Sequence, residues 1–324
     1  MKYVSSSALV LLLVLLAAAL ALLGCSSSSG PSDTPDPPSA SIDSPAADVT
    51  IVEGGTVSFQ GSATGGQTPY AYSWDFDGGA ANSSAEDPGD VVFGAPGTYT
   101  VTLTVTDDDG DDDTDTVTVT VTASLAHYAF NGNANDESGN GNDATVYGAA
   151  LAEDRFGSED SAYRFNGGGD YIQTPVDSNT LPLSFSVWFK ASDVSGERSI
   201  VDSDVSGQSG HSLIFGWWVG DGYLDVQYHD AGLNIDFSVA VDTWYHVVVN
   251  FSDVIQIYVD GAQIGDDFAY VPGSLNGDPF RLGRHNQGDP QWFAGVIDDV
   301  RFYDRALTEE DVQTLYSEGG WPNP

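Results

Sequence analysis

The feature that most constrains this chain is a strict alternation of apolar and polar residues at a period of two. Between Thr98 and Thr106, Tyr99, Val101, Leu103 and Val105 fall on one face and threonines on the other; Thr116–Thr122 repeats this with Val117, Val119 and Val121. A helix would scatter these side chains around its circumference, whereas an extended strand gathers them on one face. Two such strands joined by the acidic stretch Asp107–Asp113 predict an antiparallel pair. Upstream, Val57, Phe59, Tyr70, Tyr72, Trp74 and Phe76 supply more strands for a small sandwich.

The same period recurs towards the C-terminus. Ile255, Ile257 and Val259 alternate with Gln256, Tyr258 and Asp260, and Asp260-Gly261 forms a two-residue turn into Ala262-Gln263-Ile264, a strong local hairpin signal. Further strands are expected at 161–165, 183–190, 212–219, 223–227, 244–251 and 295–303. One helix is expected: Thr308 caps it with Asp311 three residues on, Glu309–Tyr316 forms its body, and Gly319-Gly320 ends it. The fold class is therefore all-β, with the later strands forming a two-sheet jelly roll.

Charge narrows the function. The 324 residues carry 48 acidic and 9 basic side chains, a formal net charge of −39. Of the acids, 39 are Asp and 9 are Glu. Asp favours turns and oxygen-rich metal sites, and Glu favours helices, so the chain reads as strands joined by acidic loops. Nucleic acid is a poor partner and none is expected, because binding it needs clustered Lys and Arg on one face. Such an acidic surface suits salty surroundings, where its self-repulsion is screened. Asp107–Asp115 superficially resembles a calcium loop, but an EF-hand needs flanking helices and Glu at its twelfth position, which here is Thr118 within a strand. A hairpin that gathers calcium loosely and a solvated turn both remain open. The five histidines are too scattered for a helical zinc motif.

The N-terminus reads as an address. Lys2 precedes an unbroken apolar run, Ala8–Leu23, which has the form of a signal-peptide core. It is shorter than the roughly 20 residues a membrane-spanning helix needs and lacks a basic stop-transfer flank. Cys25 is the only cysteine, which rules out an intramolecular disulfide. Leu22-Leu23-Gly24-Cys25 resembles the bacterial lipobox, although Leu23 is a less usual choice at its position. The resemblance implies diacylation of Cys25 as the mature N-terminus; the alternative is an ordinary secretory signal with an incidental cysteine. Two or three acyl chains anchor a protein stably where one does not. Ser26 rather than Asp follows the cysteine, which points the address to the outer membrane or cell surface. The expected segments are a signal peptide at 1–24, a tether at 25–41 with a reach of about 20–25 Å, and folded modules at 42–123 and 124–320.

Motifs identify both modules by resemblance. Tyr72-Ser73-Trp74-Asp75-Phe76-Asp77-Gly78 followed by Gly97–Asp107 resembles the polycystic-kidney-disease (PKD) repeat, an Ig-like sandwich that mostly serves as a spacer or weak contact module. Gly79 departs from that family's turn. Tyr128–Gly141 resembles the opening strand and loop of the LamG-like jelly roll of the concanavalin A-like lectin and glucanase fold. Gly295–Leu307 resembles its closing signature, and Ser186–Phe189 and Trp244–Val247 resemble its core strands. The resemblance implies a calcium ion between the opening loop and closing strand, with Asp136 and Asp298 as its best ligands and Asn131 and Asp299 as further ones. The opposing reading makes Asp136 a turn residue and pairs Asp298 with an arginine.

Aromatic rings are the usual platform for sugars. Trp188 and Trp244 occupy family core positions, while one of the adjacent pair Trp217 and Trp218, together with Trp292, is the expected contact surface. Catalysis is not expected: no Glu-x-Asp-x-x-Glu motif places two carboxylates across a sugar, and there is no Gly-x-Ser-x-Gly elbow. The expectation is a lipid-anchored surface protein whose second module binds a polysaccharide or a surface protein. A structural envelope role and a weak hydrolase are the alternatives.

Overall fold

The strands Gly97–Thr106 and Asp112–Thr122 form the expected antiparallel pair, with Tyr99 opposite Val119 and Val101 opposite Val117. The computed structural model describes residues 36–178, 181–203, 213–217, 223–228, 231–269, 278–285 and 291–321. Val49–Val52 joins this pair as a parallel edge and Ala71–Asp75 as an antiparallel one, making a four-stranded sheet. A three-stranded sheet of Pro38–Ser44, Thr56–Gly65 and Gly89–Val92 completes the first sandwich. Its core is an aromatic nest: Phe59 meets Trp74 and Phe76 edge-on at 5.5 and 5.1 Å, beside fully buried Val101, Leu103 and Val105. Each such side chain contributes about 1.5–3 kcal/mol by burial.

This sandwich begins at Pro38, within the span expected to be tether. The reason lies in the acidic stretch. Asp113 and Asp115 accept hydrogen bonds from the Ala40 and Ile42 N–H groups at 2.9 and 2.8 Å, binding that strand to the opposite sheet. Asp107, at the head of the same stretch, accepts from the N–H groups of Gln67, Asp109 and Asp111.

The second module is built from two larger sheets. The nine-stranded sheet runs, in spatial order, Ala150–Ala152, Ala162–Asn166, Ala294–Tyr303, Leu183–Ala191, Trp244–Phe251, Val254–Val259 and Ala262–Gln263, with Ala126–Tyr128 and Phe268–Ala269 added at its sides. The seven-stranded sheet runs Ala231–Ser238, Tyr223–Tyr228, Leu213–Trp217, Arg198–Asp202, Pro279–Leu282, Tyr171–Asp177 and Thr145–Tyr147. Between them lies one apolar core, to which the first sheet gives Phe185, Phe189, Val249 and Phe302 and the second gives Ile172, Phe215, Phe280 and Leu282. The expected all-β class, a small sandwich followed by a two-sheet jelly roll, is the observed one.

The outer face of the nine-stranded sheet is covered. The helix Glu309–Ser317 starts at the expected capping box of Thr308 and Asp311, and its Val312 and Leu315 pack on Val248, Tyr258 and Tyr303 of the sheet. Val52, from the first sandwich, is fully buried in that cluster. Its N–H donates to Asp311 Oδ1 at 3.1 Å, and Arg305 reaches Thr122 Oγ1 at 3.2 Å. The two sandwiches are thus joined by an apolar contact with polar clamps on either side.

Candidate functional site

Of the expected calcium ligands, Asp298 and Asp299 lie on the outer side of the nine-stranded sheet, where an arginine holds both. Alternation along Ala294–Tyr303 would send Asp298 and Asp299 to opposite faces. A register shift opposite Ser186–Trp188 makes room for one extra residue, and Asp299 takes it with φ of 42°. Both carboxylates are then held by one guanidinium, Arg155, at 2.6 Å from Asp298 and 3.1 Å from Asp299. Arg301 Nε and His127 Nε2 each reach Asp299 Oδ1 at 3.0 Å. Burial pushes the Asp298 carboxyl up to about 7, with Arg155 offsetting it only in part. Burial also opposes ionisation of Asp299, but Arg301, His127 and Arg155 outweigh it and hold its carboxyl well below the usual range.

Asp136 serves the opening loop. Its Oδ1 accepts from the N–H groups of His127 and Ser138, and its Oδ2 from that of Asn142. Burial works against its ionisation, and these hydrogen bonds outweigh it and hold the carboxyl below its ordinary value. Asn131 is exposed, with its carbonyl taken by Asn133 Nδ2. Among the described residues no three His, Cys, Asp or Glu side chains are grouped to hold an ion. The positive charge between Asp298 and Asp299 comes from Arg155. A polar hollow of about 330 Å³ beside the cluster is lined by His127, Arg155, Asp299, Arg301 and Glu318, among others.

A hydroxyl–imidazole pair lies near by. Ser186 Oγ and His246 Nε2 are 2.8 Å apart, a separation that suits a nucleophile and its base. Both are buried, with 2% and 1% exposure, and the ring stacks on Trp188 at 4.8 Å, so no substrate can reach them. Burial drives the imidazole down to about 3, which leaves it neutral.

The outer face of the seven-stranded sheet has a different character. Phe280 and Leu282 point into the core, so Arg281 between them points outward. By the same alternation Ile172 is buried and Tyr171 and Gln173 flank it on the outer side. There, Tyr147 and Tyr171 stack at 4.4 Å and 10°, Arg284 lies 4.8 Å from the Tyr171 ring, and the Trp292 ring lies 4.7 Å beyond Arg284. The result is a ladder of three rings and a guanidinium, with Tyr147 45% exposed at one end. Arg281 sits beside it, its Cζ 5.8 Å from the Tyr171 ring and its Nε donating to Gln173 Oε1 at 2.9 Å. The Gln173 amide is itself fixed by donation to the Phe280 carbonyl. Asp202, opposite Arg281 in register, meets His285 Nδ1 at 2.5 Å.

Of the three tryptophans expected to contact a ligand, Trp292 stands in this ladder. Trp217 pairs through its backbone with Arg198, and its side chain and all of Trp218 lie outside the described residues, as does Cys25. Sequence reading missed Tyr147, Tyr171, Arg281 and Arg284. One signal was available: Arg281 interrupts an apolar strand in a chain with only 9 basic residues, and Arg284 follows three residues on.

Comparison with known proteins agrees with this architecture. Residues 37–121 match the PKD domain family, and residues 166–313 match the family described as the concanavalin A-like lectin/glucanases superfamily. Over 81 residues the chain is 30% identical to adhesion G-protein coupled receptor V1 of Danio rerio, a match spanning 24% of this chain and 1% of that receptor. Domain 4 of AbnA, a GH43 extracellular arabinanase from Geobacillus stearothermophilus solved with arabinotriose, superposes with a TM-score of 0.50 at 22% identity, covering 60% of this chain and 98% of that one. A Trypanosoma rangeli sialidase superposes with a TM-score of 0.51 at 14% identity over 71% of this chain and 46% of that one. At such identities the likeness is one of fold. The chain is therefore a PKD domain followed by a domain of the concanavalin A-like lectin/glucanases superfamily.

Proposed function

We propose that this protein is a lipid-anchored, non-catalytic binding protein of the cell surface, and that its concanavalin A-like domain takes a glycan on the outer face of the seven-stranded sheet. The observation that carries the proposal is the Tyr147–Tyr171–Arg284–Trp292 ladder, an outward aromatic row on a rigid sheet. Sugar rings bind through the apolar C–H faces they present to aromatic π clouds, and rings fixed in advance lose little entropy on binding. The terminal helix and Val52 of the PKD domain pack on the other large face, whereas Tyr147 on this one is 45% exposed. The PKD domain then acts as a docked spacer, and Cys25 as the anchor.

A glycan array probed with the exported protein tests this. Tyr147→Ala and Trp292→Ala should each weaken binding about two- to tenfold, from a loss of about 0.5–1.5 kcal/mol. Unchanged binding in both variants would remove the face from consideration. Incubation with the bound glycan should release no reducing ends; turnover lost on changing a single carboxylate would make the protein a hydrolase. Cys25→Ala should abolish fatty-acid labelling and release the protein from membranes, and unaltered labelling would rule out the anchor.

A further inference from the structure

Cations are scarce in this chain, so their placement carries information. Arg155, Arg198, Arg301 and Arg305 are each held by a carboxylate. Arg164, Lys190, Arg281 and Arg284 are not, among the described residues; Arg164 is exposed and Lys190 lies over the Trp244 ring, which leaves Arg281 and Arg284 as two unpaired cations close together in a chain of 48 acids.

Both guanidiniums are also short of hydrogen bonds. Arg281 is only 6% exposed, and among the described residues its Nη1 has no hydrogen-bond partner. Nε of Arg284 is likewise buried without one. A charged group taken from water and left without a counter-charge is costly, and this cost falls when an anion arrives. Burial first, and the neighbouring Arg284 charge second, hold the Arg281 guanidinium below its ordinary value, and Asp202 and Asp278, too far to pair with it, offset this only in part. Two like charges have therefore been placed against one ring, Tyr171, at 5.8 and 4.8 Å. The Tyr171 and Trp292 rings lie 4.8 and 4.7 Å from Arg284 Cζ, and a guanidinium held on aromatic rings keeps the fork of N–H donors that grips a carboxylate or sulfate.

We infer that the glycan bound here is acidic, its carboxylate or sulfate held by Arg284 and Arg281 while a neighbouring sugar ring lies on the exposed face of Tyr147. This rests on the proposal that the ladder is the glycan surface and adds the chemistry of the ligand. A long polyanion such as nucleic acid is disfavoured by the net charge of −39, whereas one acidic sugar needs only this local patch.

The test uses the full exported protein in calorimetric titrations at fixed salt. The probes are an oligouronate, a sulfated oligosaccharide, and the carboxyl-reduced and desulfated forms of each. Wild type should bind at least one acidic form about tenfold or more tighter than its neutral counterpart, as charge-assisted hydrogen bonds require. Which acidic form wins assigns carboxylate or sulfate. Arg284→Gln should bring acidic and neutral binding to near parity, the acidic form losing about tenfold more than the neutral one. Arg281→Gln should do the same if it folds; Arg284 is only partly buried, so its variant carries the test regardless. Equal binding of acidic and neutral forms by wild type, or a preference that survives Arg284→Gln, overturns the inference. In that case continued sensitivity to Tyr147→Ala keeps the ladder as the glycan surface. Binding of no glycan at all overturns both.

Discussion

Aspartate outnumbers glutamate in this chain because its short side chain reaches backbone N–H groups. Asp48, Asp77 and Asp87 accept from Thr118, Thr100 and Gly61 across strands, and Asp154 accepts from Phe156 and Ser158 in its own loop. Glutamate, one methylene longer, closes these short loops less well. Asp311 carries several such duties at once: Oδ1 accepts from Val52 N–H, and Oδ2 from Thr308 N–H and Arg305. It is 1% exposed, so Asp311→Ala should cost about 3 kcal/mol in urea denaturation, as expected for breaking a buried charge pair. A loss below about 0.5 kcal/mol, the size of a surface change, would contradict that role.

His246 supplies a pH test at the same scale. Its imidazole is lowered from 6.5 to about 3 in the fold, chiefly by burial. A depressed value means that the stability this group contributes is complete above the unfolded value of 6.5 and is lost as pH falls towards about 3. Between about pH 6.5 and 5 the Asp298 carboxyl, raised to about 7 in the fold, works in the opposite sense, so the test is the difference: the urea midpoint of wild type should fall relative to that of His246→Gln as pH drops. Parallel curves would mean that the ring is not held neutral.

Among the elements, the strands and the terminal helix were legible because their signals are local. Trp244–Phe251 has the expected bounds, and Thr308 and Asp311 form the expected capping box. The bulge at Asp299 was not legible. A period of two assigns its carboxylate to the core side, and only pairing with Leu183–Ala191 reveals the extra residue that turns it outward beside Asp298. For the same reason the calcium expectation met an arginine: Arg155 is more than a hundred residues away in sequence and reaches the pair only through the fold. Calcium should accordingly raise the melting temperature no more than magnesium at equal concentration, and EDTA should leave it unchanged. A calcium-specific rise removed by Asp136→Ala would restore the original expectation. The interdomain contact belongs to this scale too. Val52→Asp would place an unpaired carboxylate in the Val248–Leu315 cluster, and calorimetry should show the single transition of the docked pair splitting into two.

For the whole molecule, the net charge of −39 makes salt a stabiliser. At 0.01 M ionic strength acidic residues about 30 Å apart still repel, and near 1 M the range shrinks to about 3 Å. The melting temperature should therefore rise with sodium chloride, and a flat response would show that the backbone hydrogen bonds have already absorbed the repulsion. What the amino-acid order determined by itself was whatever depends on neighbours in the chain: the period-two strands, the Asp-Gly turn, the helix cap, the family motifs and the overall acidity. What only the tertiary structure decided was which distant residues meet. Tyr147, Tyr171, Arg284 and Trp292 come from separate stretches, and nothing in their local sequence marks them as one row. Sheet pairing brings them together because strand order, unlike alternation, is set by the whole core closing at once.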